Sequence, residues 1–412
     1  MNYKVQYQAF FGRLLLAFYV LLQYSIGQAL WADRFVFSYS AGDMYRVVST
    51  VQEDVYVNRR FSHQAEILNK IAVTITGVNN GIARHEATFQ TSERSVGASS
   101  GRVFQWSQEY KSIFNRDSFG RFTIAPEYFM PVVRNVPLFP DRELAPGDTW
   151  SAEGEEVHDF RTSFGIPEPY RIPFTANYAY LGTQKYKEKT YPAISVSYRI
   201  FYEAPGGKTA SLWPYRIMGA SDQKIYWDLE LGQPAAYTEQ FRMIFELSNG
   251  QTVEYRGTAQ AEIIEAKPMN RDAIAKEITR DIIDKGIANT TVRVVPEGIT
   301  ISLENIQFEA DSAILLPTEK AKLEQIAEIL KRYPDRDILI GGHTALAGTA
   351  EGRAKLSQER AATVADYLIR LGARRSEQVI VRGFGAERPV ADNSTEEGRQ
   401  RNRRVEITIL EN

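Results

Sequence analysis

Cysteine is absent from this 412-residue chain, which excludes disulfides, thiolate metal sites and a lipid-modified cysteine at a mature N-terminus. With no acyl anchor, protein contacts or a barrel must hold the molecule at any membrane it associates with. Histidine is scarce: His63, His85, His158 and His343 are the full set, and none is spaced as a metal pair. No glycine-rich phosphate loop or nucleophile elbow occurs either, so no catalytic residue, metal or cofactor is expected and the chain reads as a non-enzyme. A surplus of one charge sign is also missing. With 49 basic and 51 acidic side chains the formal net charge is -2, which gives no bulk attraction to nucleic acid or anionic lipid. No nucleic-acid partner is expected.

Long apolar runs are confined to the start. Lys4 and Arg13 precede an uncharged run, Leu14 to Ile26, followed by the small residues Gly27, Ala29 and Ala32. That run is too short to span a bilayer comfortably and has the layout of a secretory signal peptide, residues 1–29, with cleavage best placed after Ala29; cleavage after Ala32 and an uncleaved anchor are the alternatives. Removing it leaves no transmembrane helix, and the mature protein is expected in the periplasm or on a periplasm-facing surface of the outer membrane.

The length favours two or three domains, and 43% hydrophobic with 24% charged residues is an ordinary globular composition. Residues 30–266 read as all-β antiparallel structure. Tyr45, Val47, Val51, Val55 and Val57 alternate with Arg46, Thr50, Gln52 and Asp54, the period of a half-buried strand. Tyr237, Phe241, Met243, Phe245 and Leu247 alternate likewise, and Asn249-Gly250 then turns the chain into Val253, Tyr255, Ala259, Ala261 and Ile263, a hairpin signature. Such strands suit either a membrane barrel or a soluble domain. Glu53 and Glu239 on otherwise apolar faces, with dense prolines from Pro126 to Pro214, favour the soluble domain.

An internal repeat is expected here. Ala41-Gly42-Asp43-Met44-Tyr45 resembles Pro146-Gly147-Asp148-Thr149-Trp150, so Gly42 and Gly147 stand 105 positions apart, as do the strand-ending Gly77 and Gly182. The offset predicts two tandem β units, at about 33–125 and 137–266.

Lys267-Pro268 breaks the last strand, Asn270 can cap a helix, and Ile274, Ile278 and Ile282 fall on one helical face. Residues 267–286 are accordingly expected as a linker helix. From residue 287 the pattern changes to alternating strand and helix: Ile299–Leu303, a helix with Leu323, Ile326 and Leu330, a strand at Asp337–Ile340, a helix with Leu356, Val364 and Leu368, then strands at Val379–Val381 and Val405–Ile409. This predicts an α/β sandwich for residues 287–412.

Four motifs in this region stand in a familiar order. They are Phe308-Glu309-Ala310-Asp311-Ser312-Ala313, Gly342-His343-Thr344, Leu356-Ser357-Gln358-Glu359-Arg360-Ala361, and Gly383-Phe384-Gly385 with the closing run Asn393 to Val405. From about residue 298 onward the chain resembles the C-terminal domain of the OmpA-like family, which includes peptidoglycan-associated lipoproteins and flagellar stator proteins. The resemblance implies a cell-envelope protein that associates non-covalently with peptidoglycan by gripping the zwitterionic end of the diamino acid in its peptide stem. In the family an aspartate faces the ammonium and the arginine of the "L-S-x-x-R-A" motif faces the carboxylate, here Arg360. Guanidinium can pair a carboxylate with two parallel bonds.

At the aspartate position, after Thr344, this chain has Ala345, and Arg353 stands where the family has asparagine. Weakened stem binding is therefore expected, with Glu351 as a substitute carboxylate. The other reading is a structural protein that engages envelope partners and no longer holds peptidoglycan. His343 is expected to be a hydrogen-bonded structural residue. Gly342, Gly383, Gly385, Asn402 and Arg404 are read as structural parts of the motif.

Overall fold

The computed structural model describes residues 32–411 apart from 96–102, 205–211, 266–268 and 310–311. The leader expected at 1–29, the Lys267-Pro268 break and Ala310-Asp311 of the first motif lie outside the described residues.

The alternating segments form antiparallel strands in two series. β1 (Met44–Val57), β2 (Arg60–Asn79), β3 (Ile82–Ser95) and β4 (Phe104–Arg116) pair in chain order. After the short β5 (Phe122–Ile124) and β6 (Val133–Arg134) come β7 (Thr149–His158), the single turn α1 (Arg161–Phe164), β8 (Tyr170–Tyr186), β9 (Lys189–Glu203), β10 (Pro214–Asp228), β11 (Gln233–Leu247) and β12 (Thr252–Glu265), again paired in order. The Asn249-Gly250 turn joins β11 to β12, with Gly250 at φ 86 and the Leu247 N–H donating to the Gln251 carbonyl at 2.8 Å. β12 then pairs with β1, Val47 opposite Ile263 and Val51 opposite Ala259, and so unites the two series.

Strict alternation gives this sheet two unlike faces. Val47 on β1, Phe89 on β3, Ile225 on β10 and Tyr237 on β11 all line one cavity. Strands so far apart in the sheet can share a cavity only if the sheet curls around its apolar face. Glu239 lines that cavity as well, and Glu53 lies on the same face of β1 as Val51 and Val55. The opposite face of β1, β11 and β12 carries Thr50, Gln52, Asp54, Gln240, Arg242, Thr258 and Gln260.

The two repeat motifs make the same hydrogen bonds. The Gly42 N–H donates to the Ile75 carbonyl at 2.8 Å and the Ile75 N–H returns to Asp43 at 2.9 Å. At the same offset of 105 positions, Gly147 donates to Tyr180 at 2.7 Å and Tyr180 returns to Asp148 at 2.9 Å. Asp43 and Asp148 each close their turn with a carboxylate, onto the N–H of Ser40 at 2.7 Å and of Ala145 at 3.1 Å. The interiors differ. In the second series Phe35, Phe139, Tyr180 and Trp227 pack solidly, with Phe35 and Tyr180 ring centres 5.0 Å apart and Phe139 and Trp227 4.8 Å apart. The cavity lies between the first series and β10, β11 and β12 of the second.

The C-terminal region adds α2 (Arg271–Asp284), β13 (Thr290–Val295), β14 (Gly298–Glu304), α3 (Pro317–Leu330), β15 (Ile338–Gly342), α4 (Ala350–Arg370), β16 (Val379–Gly383), α5 (Glu396–Asn402) and β17 (Arg404–Leu410). Its sheet runs β13-β14-β17-β15-β16, with β15 and β16 parallel and the other neighbours antiparallel. Alternate strand residues, Ile299, Ile301, Leu303, Ile338, Ile340, Val405, Ile407 and Ile409, pack in one core with Leu323, Ile326 and Leu330 of α3 and Val364 and Leu368 of α4. The helix at 271–284, N-capped by the Asn270 side chain on the Ala273 N–H, belongs to this core too. It buries Ile278 and Ile282 there, and Met269 just before it is buried in the same cluster.

The two regions are not merely tethered. β16 pairs on its free edge with the start of β4 in parallel register, Ile380 opposite Phe104 and Val381 opposite Gln105, and Arg382 lies 5.1 Å from the Trp106 ring. Asp337, just before β15, receives Lys70 of β2 at 3.0 Å and Arg46 of β1 at 3.3 Å.

Candidate ligand site of the C-terminal domain

Helix α4 lies across the C-terminal ends of β15 and β16, and the motif glycines let it come that close. A Cβ on Gly342 would collide with the Ser357 carbonyl, and one on Gly383 would stand 2.6 Å from the Gln358 nitrogen and 2.7 Å from Ser357 Oγ. Ser357 is fully buried; its Oγ donates to the Ala354 carbonyl at 2.8 Å and accepts from the Gly385 N–H at 2.9 Å. Gly385 has φ 51, a left-handed conformation that favours glycine. The serine and the glycines thus fix the strand ends against the helix.

The closing motif braces the loop after β15. Asn402, buried, accepts from the N–H groups of Val390 at 2.8 Å and Ala391 at 3.1 Å, and donates to Asn393 Oδ1 at 3.0 Å. Asn393 Oδ1 in turn accepts from the Leu346 N–H at 3.0 Å. Arg404, buried beneath, donates to Glu406 at 2.7 Å and to the Arg388 carbonyl at 2.9 Å. This Asn402-Asn393-Leu346 relay escapes sequence reasoning, which sees the motif residues but not their partner across the fold.

His343 is buried, stacked on Phe384 with ring centres 5.0 Å apart, and its Nε2 lies 3.5 Å from Glu406. Burial pushes its pKa down, against the pull of Glu406. Neither ring nitrogen has a hydrogen-bond partner among the described residues, so this histidine is held by stacking and burial and not by the hydrogen bonds expected of it.

The loop after β15 has few charged groups. Thr344 donates its N–H to the Gly385 carbonyl at 2.8 Å, and its hydroxyl is buried with no hydrogen-bond partner among the described residues. Ala345 follows, 5% exposed, and Leu346 is 60% exposed. Arg353 donates to the Gly348 carbonyl at 2.6 Å, and Thr349 caps α4 by accepting the Gly352 N–H at 3.1 Å. Glu351 is exposed in the first turn of α4, where the helix dipole favours an acid. Arg360 lies two turns beyond Arg353 on the same face, about 10.5 Å along the axis at 1.5 Å per residue. Its Nε donates to the Ser312 carbonyl at 3.3 Å and its guanidinium sits 4.8 Å from the Phe308 ring. The structure therefore gathers Thr344, Ala345, Arg353 and Gly385 at one end of the site and holds Arg360 against the opening motif at the other. Among the described residues no cluster of His, Asp or Glu is placed to hold a metal ion, and no helix is long and apolar enough to cross a membrane.

Comparison with known proteins places residues 307–403 in a match to the OmpA family. The chain is 39% identical over 123 residues to the probable lipoprotein YiaD of Escherichia coli K12, covering 29% of this chain and 56% of that protein. It is 39% identical over 104 residues to the peptidoglycan-binding protein ArfA of Mycobacterium tuberculosis H37Rv, covering 25% of this chain and 32% of that protein. The matches thus span about a third to just over half of these curated relatives. Among solved structures, the peptidoglycan-associated lipoprotein of Burkholderia pseudomallei is 36% identical, covering 26% of this chain and 87% of that one, with a TM-score of 0.24.

Proposed function

Given that residues 307–403 form a domain of the OmpA family, we propose that this is a cell-envelope protein whose C-terminal domain associates non-covalently with the peptide stem of peptidoglycan, and does so weakly. The observation that carries the reading is Ala345. It occupies the aspartate position of the motif, buried to 5% exposure beside the Thr344–Gly385 hydrogen bond. A methyl group there offers the ammonium of a diamino acid neither charge nor hydrogen bond, and Arg353 adds a cation to the same loop. Arg360 retains the position that receives the carboxylate. Losing one partner of an interfacial charge pair costs about 2–5 kcal/mol, a weakening of at least about thirtyfold. Co-sedimentation of the purified full chain with isolated peptidoglycan tests this. Weak retention that rises in Ala345→Asp supports the reading; tight retention unchanged by that substitution overturns it.

A second reading has its own support. Leu346 and Ile314 flank the site at 60% and 55% exposure, an apolar rim that suits a protein surface better than a sugar-peptide. On that reading the domain engages other envelope proteins.

The β region is best taken as a tandem duplication facing the periplasm. Its support is the matched Gly-Asp turns at a constant offset and the polar outer face of the sheet.

A further inference from the structure

The cavity between the two β series measures about 400 Å³, within the roughly 300–1,000 Å³ usual for small-molecule sites. Val47, Ile71, Phe89, Val133, Ile225 and Ile263 give it mainly apolar walls. One permanent cation projects into it. Arg116, at the end of β4, is held between the rings of Phe37 at 3.7 Å and Phe122 at 4.7 Å, and its Nε donates to the Gly120 carbonyl at 3.4 Å. Among the described residues no carboxylate forms an ion pair with Arg116. Asp117 beside it is occupied, its Oδ1 accepting the N–H groups of Phe119 at 3.0 Å and Arg121 at 2.8 Å.

Two phenols share that end of the cavity. Tyr39 and Tyr45 both line it and both lie within electrostatic range of Arg116. The Tyr39 hydroxyl is buried without a hydrogen-bond partner among the described residues. The one carboxyl lining the cavity, Glu239, is held elsewhere by Ser221 Oγ at 2.6 Å and Gln223 Nε2 at 3.3 Å, and burial pushes its pKa up toward the neutral form. An anion entering the cavity meets a guanidinium and two phenol donors, and the opposing charge nearby is that of Asp117, whose carboxylate lies within electrostatic range of Arg116 and Tyr39.

The repeat supplies a control inside the molecule. Trp227 stands next to the last residue of β10 and Arg116 is the last of β4, an offset of 227 − 116 = 111 against 105 for the Gly-Asp turns, and each is followed by an aspartate that closes the next turn, Asp117 and Asp228. Trp227 is 0% exposed and fills its half of the sheet with Phe35, Phe37 and Phe139. An apolar side chain is thus compatible with the corresponding place in the fold, whereas a half-buried cation with no carboxylate in an ion pair with it is costly to keep. Its retention together with a hollow points to a ligand.

We propose that the β region binds an amphiphile with one anionic head group and an apolar chain, the head on Arg116, Tyr39 and Tyr45 and the chain along the Val47–Ile225 wall. Fluorescence titration of the purified full chain with cis-parinarate, followed by competition with dodecanoate, dodecyl phosphate and dodecanol, tests it. The two anions should displace the probe, dodecanol should do so about tenfold less well, and the better anion identifies the head group. Arg116→Met should abolish the preference for anions while melting at or above the wild-type temperature, and Val47→Trp, which fills the cavity, should abolish probe binding. Should Arg116→Met fail to fold, the double substitution Tyr39→Phe with Tyr45→Phe serves in its place, with a reduced anion preference expected. Absence of probe binding, equal competition by dodecanol, or an anion preference unchanged in the folded variant overturns the proposal.

Discussion

Lys70 of β2 places its ammonium 3.0 Å from the Asp337 carboxylate, and both side chains are 6% exposed. The pair joins the β region to the C-terminal domain, with Arg46 as a second cation at 3.3 Å. Burial pushes the Lys70 pKa down, and Asp337 is what holds its charge in place. Asp337→Asn would leave two cations around a neutral amide, and removing one partner of a buried pair costs about 3–5 kcal/mol. The full chain carrying Asp337→Asn should therefore unfold at clearly lower denaturant concentration. An unchanged midpoint would show that the contact contributes nothing in solution.

Glu53 gives stability a pH dependence of known sign. Burial, aided by the nearby Glu93, pushes its pKa up to about 7. A carboxyl whose folded pKa is raised binds its proton more tightly in the native state, so stability is greatest below the unfolded value of about 4.3 and falls as pH rises through 7. Glu53→Gln should remove this loss, on the order of 2 kcal/mol at pH 8 after solvent screening. Thermal melts of both proteins at pH 4 and pH 8 check it: the gain of the variant should be small at pH 4 and full at pH 8.

At the ligand site, Ala345→Asp should strengthen binding to diamino-acid peptidoglycan by about 2 kcal/mol, and Arg360→Ala should remove what binding exists. Arg360 also packs on Phe308, so the melting temperature of Arg360→Ala must be measured alongside. If neither Ala345→Asp nor the parent chain is retained on peptidoglycan, the apolar rim of Leu346 and Ile314 becomes the functional surface.

The helix at 271–284 supplies a test of where the C-terminal domain begins. Ile278 and Ile282 are 0% and 5% exposed within the domain core. A fragment starting at Met269 should melt cooperatively, whereas one starting at Ile287 loses both isoleucines, at about 2–3 kcal/mol or more for large apolar side chains taken from a core. Equal melting temperatures for the two fragments would place the boundary at 287.

Much of this molecule is legible in the chain because its signals are local. Alternation of period two around Val47 and Val51, the Asn249-Gly250 turn, the Asn270 cap and the apolar stripe of α4 each depend on neighbours within a few residues. The four C-terminal motifs are legible for the same reason, and the loss of an acid at Ala345 can be read directly. β13 left no such mark, since Thr290–Val295 is a short run with little burial.

What only the tertiary structure decided depends on residues far apart in sequence. Alternation says that one face of a strand is apolar; whether that face meets lipid or a protein interior is set by how the sheet curls, and here it curls inward, so that Glu239 faces a cavity. Nothing near Lys70 announces Asp337, nothing near β4 announces β16, and Ile278 and Ile282 look alike in a spacer and in a core. Arg116 reads as one more strand-end arginine until Phe37, Tyr39 and Tyr45 close around it. Pairing, burial and charge are properties of positions in space, and the chain specifies those positions only through the sum of its long-range contacts.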